Sequence, residues 1–356
     1  MWLVPATYKH VFMQQNSTDN RLSYPKKVWI KGGIYALIVV VLLLIKATFS
    51  VFLLILAGAL IAVFFRGLSA LICRKTKWKS GVCLAISIIG TLILVIGLFW
   101  LIGSKVQSQA VELSDTLPKT IENAKAQLSQ SALGKKIVEK ASSPQSVKKA
   151  QTLASTFFKS TFGVFGDIYV VLFLGIFFTV SPATYKNGIV QLIPKKGQKK
   201  GSDVIDTIGT NLEKWLKGKM FSMAVVMILT AIGLVALGMP MWLTLAIIAG
   251  LLNFIPNFGP LIAMIPAVLF ALMQGPTTAA IVAGMYILIQ VIESNFITPT
   301  IQKKLVSIPP ALIISAQLFI GPLTGGWGLV LATPLMLIIM TLVQELYIKE
   351  RDKKLA

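Results

Sequence analysis

The chain alternates long apolar runs with short basic connectors, and one long polar stretch, residues 104–159, interrupts that rhythm. The runs Val82–Ile102, Thr161–Val180, Met220–Leu237 and Thr277–Ile297 each match a single membrane crossing. A helix rising ~1.5 Å per residue needs about 20 residues to cross a hydrocarbon core of roughly 30 Å. Val28–Phe65 is too long for one crossing and carries a central charge, Lys46. A tight hairpin at Lys46-Ala47-Thr48 is predicted there, because it satisfies length and keeps the flanking basic segments on one side. Trp242–Met273 and Ile308–Leu346 are also overlong, and proline and glycine interrupt both. The pattern predicts an all-α polytopic membrane protein with about eight transmembrane helices, broken late helices and a small helical extramembrane domain between spans three and four.

The predicted partition is a cytosolic tail over 1–27, transmembrane helices 1–3 over 28–103, the helical domain over 104–159 and transmembrane helix 4 over 160–181. A basic amphipathic connector over 182–219, a core of helices 5–8 over 220–346 and a basic tail over 347–356 complete it. In the polar domain Val106, Ala110, Leu113, Leu117, Ile121, Ala124 and Leu128 recur at spacings of four and three, with Pro118 as a break. That seam can pack on a second helix carrying Leu133, Ile137 and Val138, or on a neighbouring subunit. In the connector Ile205, Ile208, Leu212 and Trp215 share a helical face among eight lysines, Lys186 to Lys219. Such a helix is expected on the membrane surface with its lysines toward anionic lipid headgroups, a solvated connector being the alternative.

Composition agrees with the pattern. At 55% hydrophobic and 13% charged residues, with a mean hydropathy of +0.79, the chain has too little polar surface for a soluble globule. The net charge of +21 lies in the connectors and tails, which places both termini in the cytoplasm, and only Lys303 and Lys304 oppose that topology. No helix interleaves a basic stripe with aromatics, so nucleic acid is not an expected partner. Two cysteines, Cys73 and Cys83, and one histidine, His10, cannot form a zinc site, and a disulfide is not expected on the cytosolic side. The first residues lack a basic segment followed by an apolar one, so no cleavable leader is predicted. No phosphate loop, nucleophile elbow or metal-ligand cluster is present, which argues against an enzyme, a cofactor and autonomous ATP-driven transport.

The remaining chemistry is polar groups inside apolar helices. In Asn253-Phe254-Ile255-Pro256-Asn257-Phe258-Gly259-Pro260, the two prolines lack N–H groups, so the carbonyls of Leu252 and Pro256 lose their helical partners. Non-helical backbone at membrane depth is tolerated where it is buried in protein or lines a watery cavity. One half-helix would end near Asn253 and another begin near Gly259, with Asn257 between them. A transport site or a structural kink satisfied by the amides both fit. Gln290, Glu293 and Asn295 lie within two turns of span seven. A carboxylate in such a span faces a cavity or partner rather than lipid and could exchange protons, unless it caps the helix near Pro299. Phe319-Ile320-Gly321-Pro322-Leu323 echoes Asn257-Phe258-Gly259-Pro260-Leu261, which marks Gly321 and Pro322 as a second side of the same site.

At these residues the chain resembles the autoinducer-2 exporter family of bacterial membrane proteins. Trp215-Leu216-Lys217-Gly218-Lys219 is similar to that family's pre-span signature. Asn253 to Pro260 resembles its proline-glycine motif, and Gln290 to Pro299 its late polar span. The likeness is specific from Trp215 to Pro334 and extends in layout back to about Val28. It implies an eight-span permease without an ATPase in the bacterial inner membrane, exporting a small hydroxylated signal or exchanging sodium or lithium for protons. It also implies a homo-oligomer. Three functions are therefore carried forward. The first is a permease for a small polar solute, using the broken span six and the polar face of span seven. The second is a cation/proton antiporter in which Glu293 alternates between a proton and sodium. The third is a membrane scaffold acting through residues 104–159.

Overall fold

The structure, a computed structural model, describes residues 24–101, 103, 166–299 and 308–355. The helical domain at 104–159 with its seam, His10 and the Lys303-Lys304 pair lie outside the described residues. The chain divides into two units, residues 1–49 and residues 50–356. In the first, helix α1 (Tyr24–Thr76) begins, and no turn interrupts it at Lys46-Ala47-Thr48, contrary to the predicted hairpin. The segment holds neither glycine nor proline, and the Thr48 hydroxyl donates to the Leu44 carbonyl at 2.5 Å, a helical side-chain bond that does not break the ladder.

All further description concerns residues 50–356. After α1 follow α2 (Ser80–Leu101) and α3 (Gly166–Val180), then α4 (Pro182–Gln191) and α5 (Gln198–Ala236). Next come α6 (Trp242–Leu252), α7 (Phe258–Gln274) and α8 (Pro276–Ile292), which continues as a π-turn over Glu293–Ile297. The last are α9 (Pro310–Thr324) and α10 (Gly326–Val343), and a π-turn over Gln344–Ile348 leads into α11 (Lys349–Leu355). No strand occurs among the described residues, so the all-α polytopic class holds. Five helices there are long and apolar enough to cross a membrane, and six if the bent pair α3–α4 counts as one span. The stretch predicted as span six resolves into two shorter helices, α6 and α7, arranged as a hairpin, and in the stretch predicted as span eight the shorter α9 precedes Gly326–Asp352, one of the five long helices.

Two close crossings set the frame. A Cβ on Gly58 would lie 2.8 Å from the Leu174 side chain, so α1 and α3 touch almost backbone to backbone. Further along both helices Arg66 donates to the Thr179 carbonyl at 3.1 Å, which makes the pair parallel. The Trp327 indole N–H donates to Asp167 at 2.7 Å, tying the start of α10 to the start of α3. The other ends carry the charge: Arg74, Lys75, Lys77 and Lys79 lie at the α1–α2 turn, and Lys200 pairs with Glu350 where α5 and α11 begin. Among the described residues of 50–356, these basic segments thus share one end of the bundle.

Two sequence expectations are corrected at that end. Cys73 and Cys83 are joined by a disulfide. Only Lys77-Trp78-Lys79 separate α1 from α2, so the two Cα atoms come to 5.6 Å, within bridging range. Compartment reasoning carried no information about that turn. The predicted connector helix is also not a separate element. Ile205, Ile208, Leu212 and Trp215 belong to α5, a continuous helix of 39 residues. At ~1.5 Å per residue α5 runs about 58 Å, well past the bilayer core, and its lower half packs on α10 through Asn211 and Thr341 at 3.2 Å. The helix that turns aside is α4, bent 91° from α3, with Pro182 at its first turn.

The late helices fold back on themselves. Gly238 and Met241 take positive φ in the turn that reverses α5 into α6. Gly250 lets α6 lie against α5, since a Cβ there would sit 2.7 Å from the Met227 Cβ and 3.1 Å from the Met223 carbonyl oxygen. Gln274, at the end of α7, donates to the Gly238 carbonyl at 3.2 Å. The outer ends of α6 and α7 are therefore together, and Asn253–Asn257 forms the tip of a helical hairpin that enters and leaves at one end. Leu234, Leu245, Ala249, Ala263, Ala267, Phe270, Ala271, Val282 and Tyr286 form one buried cluster that holds α5, α6, α7 and α8 together.

Candidate functional site

The hairpin tip satisfies most of its own backbone. Phe254 and Ile255 N–H groups bond to the Leu251 and Leu252 carbonyls at 3.1 and 3.0 Å, and Gly259 N–H bonds to Ile255 at 3.0 Å. The Leu252 carbonyl, expected to be orphaned by Pro256, is thus paired. The Pro256 carbonyl accepts from Phe258 N–H at 2.8 Å and from the Gln317 side chain of α9 at 3.1 Å. Asn257 has φ 66° and ψ −44°, the centre of a γ-turn closed by that Phe258 N–H bond, a conformation rare outside glycine. Its side chain donates to Gln317 Oε1 at 3.5 Å. Gly259 is required sterically: a Cβ would fall 1.8 Å from the Leu252 carbonyl oxygen.

Below the tip lies a buried polar cluster. Glu293, at the π-turn that ends α8, is buried, and its Oε1 accepts from Ser222 at 2.7 Å and from Thr298 at 2.9 Å. Ser222 in turn accepts from Asn253 at 3.0 Å. Oε2 faces the Ser294 hydroxyl at 3.5 Å, and Gln290 donates to that hydroxyl at 3.0 Å. Lys219, one turn before Ser222 on α5, brings its ammonium to 4.0 Å from Glu293, and the two side chains are 10% and 8% exposed. Two buried opposite charges at this separation neutralise one another, which offsets the large cost of desolvating either alone.

A cavity of about 150 Å³ opens on this cluster. Its walls are Trp215, Gly218, Lys219 and Ser222 from α5; Pro256 and Asn257 from the tip; Glu293, Ser294 and Thr298; Pro310, Ile313 and Ile314 from α9; and Thr333 from α10. Trp215 packs edge-on against Phe254 at 5.8 Å, fixing the wall to the hairpin. Thr333 Oγ1 is buried with no hydrogen-bond partner among the described residues. Donors and acceptors of both kinds, one charge of each sign and an apolar side from α9 suit a small solute rich in oxygen.

The structure brings together Asn253, Pro256, Asn257, Glu293 and, through Ser294, Gln290. Gly259 and Pro260 are buried behind the tip and shape it without lining the cavity. Asn295 turns away and donates to its own helix at Val291, 2.9 Å. Gly321 packs on Leu329 and Pro322 is exposed, so the second glycine-proline pair is not among the cavity walls. Sequence reasoning missed Lys219, Ser222, Ser294, Thr298, Gln317 and Thr333. Lys219 had been counted with the surface lysines. The signal that separates it is spacing: Trp215, Gly218, Lys219 and Ser222 recur at i, i+3, i+4 and i+7, one helical face.

A family model described as AI-2E family transporter matches residues 34–348. Among curated proteins, the "Putative transport protein YrrI" of Bacillus subtilis (strain 168) is 30% identical over 149 residues, 42% of each chain. The "Putative permease PerM" of Escherichia coli (strain K12) is 24% identical over 179 residues, 49% of this chain and 51% of that one. The "AI-2 transport protein TqsA" of the same strain is 29% identical over 100 residues, 28% of this chain and 29% of its own. The matches span about half the length of these relatives or less.

Proposed function

We propose that this chain, which belongs to the AI-2E transporter family, is a permease whose cavity at the hairpin tip carries a small polar solute. The observation that supports this reading most is the buried Lys219–Glu293 pair, set with Ser222, Thr298 and Asn257 on the wall of a cavity closed on one side by a helical hairpin. Such a cluster is costly to bury, and polar groups retained at that cost within membrane helices mark solute pathways. The name of the TqsA relative favours an autoinducer-2-like cargo, a small molecule dense in hydroxyls that the cavity's amides, hydroxyls and charges suit. The basic end of the bundle faces the cytosol of a bacterial inner membrane in this reading.

A second reading has its own support: Glu293 is surrounded by the hydroxyl oxygens of Ser222, Thr298 and Ser294, a set a sodium or lithium ion could use in exchange for protons. Purified protein in liposomes separates the two. Export of a hydroxylated solute should fall at least tenfold in Asn257→Leu and in Ser222→Ala, irrespective of sodium. Sodium-driven proton movement that vanishes in Glu293→Gln, with no solute flux in any variant, would replace the permease by the antiporter.

A further inference from the structure

Helices α5 and α8 run antiparallel, and two contacts bracket the stretch where they face each other. At the cavity end Ser222 bonds to Glu293 at 2.7 Å. At the other end Gly233 meets Met285, whose sulfur would lie 2.2 Å from a Cβ placed on that glycine. Along the two helices, between those brackets, come three buried polar atoms without a hydrogen-bond partner among the described residues: Thr230 Oγ1, Tyr286 Oη and Gln290 Oε1. Thr230 is fully buried and Tyr286 is 4% exposed.

Their positions are not scattered. Ser222, Val226, Thr230 and Leu234 recur every four residues along one face of α5, and all four are buried. Val282, Tyr286, Gln290 and Glu293 form the matching face of α8. With a rise of ~1.5 Å per residue, Thr230 stands about 12 Å from Ser222 and Tyr286 about 10 Å from Glu293, so the two hydroxyls reach similar heights. Gln290 falls between them and the carboxylate. Leaving a buried polar group unpaired is costly. Three on one seam call for a common partner, and internal water bonds to groups of this kind. The seam ends at Leu234 and Val282, both fully buried and apolar.

We propose that α5 and α8 hold an internal file of water molecules, bonded to Thr230, Tyr286 and Gln290 and ending at Glu293. The file gives that carboxylate a proton route on the side away from the cavity. Leu234 and Val282 close the route, so protons pass only when that apolar pair parts. The inference rests on the reading that Glu293 belongs to the working site, but its water-binding part stands independently.

Radiolytic hydroxyl-radical labelling of the full chain in lipid nanodiscs tests the water directly, because radicals born on bound water modify the nearest side chain. Tyr286 should label at least fivefold faster than Phe270, a buried aromatic of the same apolar cluster that lies on α7 and carries no hydroxyl, and Thr230→Val should slow Tyr286 labelling. Tyr286 labelling no faster than Phe270 overturns the file. In liposomes, Tyr286→Phe, which removes only the hydroxyl, should slow proton movement at least tenfold. Proton movement that is absent in the unaltered protein or unchanged in Tyr286→Phe overturns the proton route. Absence of solute flux in the unaltered protein, with fast Tyr286 labelling, overturns the permease reading and leaves the file standing.

Discussion

Glu293→Gln is the most informative single perturbation of the cluster, because it removes one charge and changes little else. The amide can still accept from Ser222 and Thr298, which bond Oε1 at 2.7 and 2.9 Å. What it abandons is the Lys219 ammonium, 10% exposed and 4.0 Å away. At that separation an effective dielectric of about 20 gives a Coulomb term near 4 kcal/mol. Breaking a buried pair by removing one partner typically costs about 3–5 kcal/mol. The opening to the cavity lets water reach the ammonium, so the lower end, about 3 kcal/mol, is expected for Glu293→Gln. Lys219→Met should cost less, about 1–2 kcal/mol, because the remaining carboxylate keeps two hydroxyl donors or takes up a proton. In the double variant nothing charged is left buried, and the total loss should fall short of the sum by about 2 kcal/mol. Reversible unfolding in mixed detergent micelles, followed by tryptophan fluorescence, measures all four corners of the cycle. Losses that add to within about 0.5 kcal/mol would refute the coupling and with it the claim that the two charges form a unit.

Two further outcomes follow from the geometry. Gly259→Ala should prevent recovery of monodisperse protein by size-exclusion chromatography, since its Cβ would lie 1.8 Å from the Leu252 carbonyl oxygen and the hairpin tip would have to open. Gly250→Ala, which meets the Met227 Cβ at 2.7 Å, should fold with a loss of about 1–3 kcal/mol. The Cys73–Cys83 bridge closes a segment of sequence separation 10, and chain entropy assigns such a closure roughly 3 kcal/mol. Reductant should therefore lower the melting temperature of the native chain and leave that of the Cys73→Ser, Cys83→Ser double variant unchanged, and equal melting with and without reductant would refute the bridge.

The existence of a break at Asn253–Pro260 was legible because proline and glycine act locally: each removes a donor or a side chain whatever surrounds it. The direction of the break was not. Whether two half-helices continue or fold back depends on contacts such as Gln274 with Gly238, 36 residues apart in sequence, which no local pattern encodes. Glu293 was legible for a related reason, since a carboxylate in an apolar run stands out against its neighbours. Lys219 was hidden by the opposite circumstance, a lysine at the end of a lysine-rich connector, where only its spacing from Trp215 and Ser222 marked it as inward-facing. Gly321-Pro322 misled because a short motif echo carries no information about which way a helix presents it. Gln317, four residues earlier on the same helix, is the residue that reaches the hairpin tip.

The fold-back also decides where the barrier to a solute lies. On α5 the exposed lysines Lys214 and Lys217 give way at Met220 to the apolar run that ends at Ala236, so the Lys219–Glu293 pair sits where the helix passes from its basic end into that run. The cavity therefore belongs to the basic end of the bundle, not to its middle. From there to the Gly238–Gln274 contact the space is filled by α6 and α7 themselves, packed on α5 and α8 through Leu234, Ala263, Ala267, Phe270 and Val282. A solute in the cavity thus faces about 25 Å of packed helix, the length of the 17 residues of α7. The hairpin gives Pro256 and Asn257 of its tip to the cavity wall, and its Leu245, Ala249, Ala263, Ala267 and Phe270 to the apolar cluster beyond. In the permease reading, passage of a solute therefore involves displacing that hairpin relative to α5 and α8.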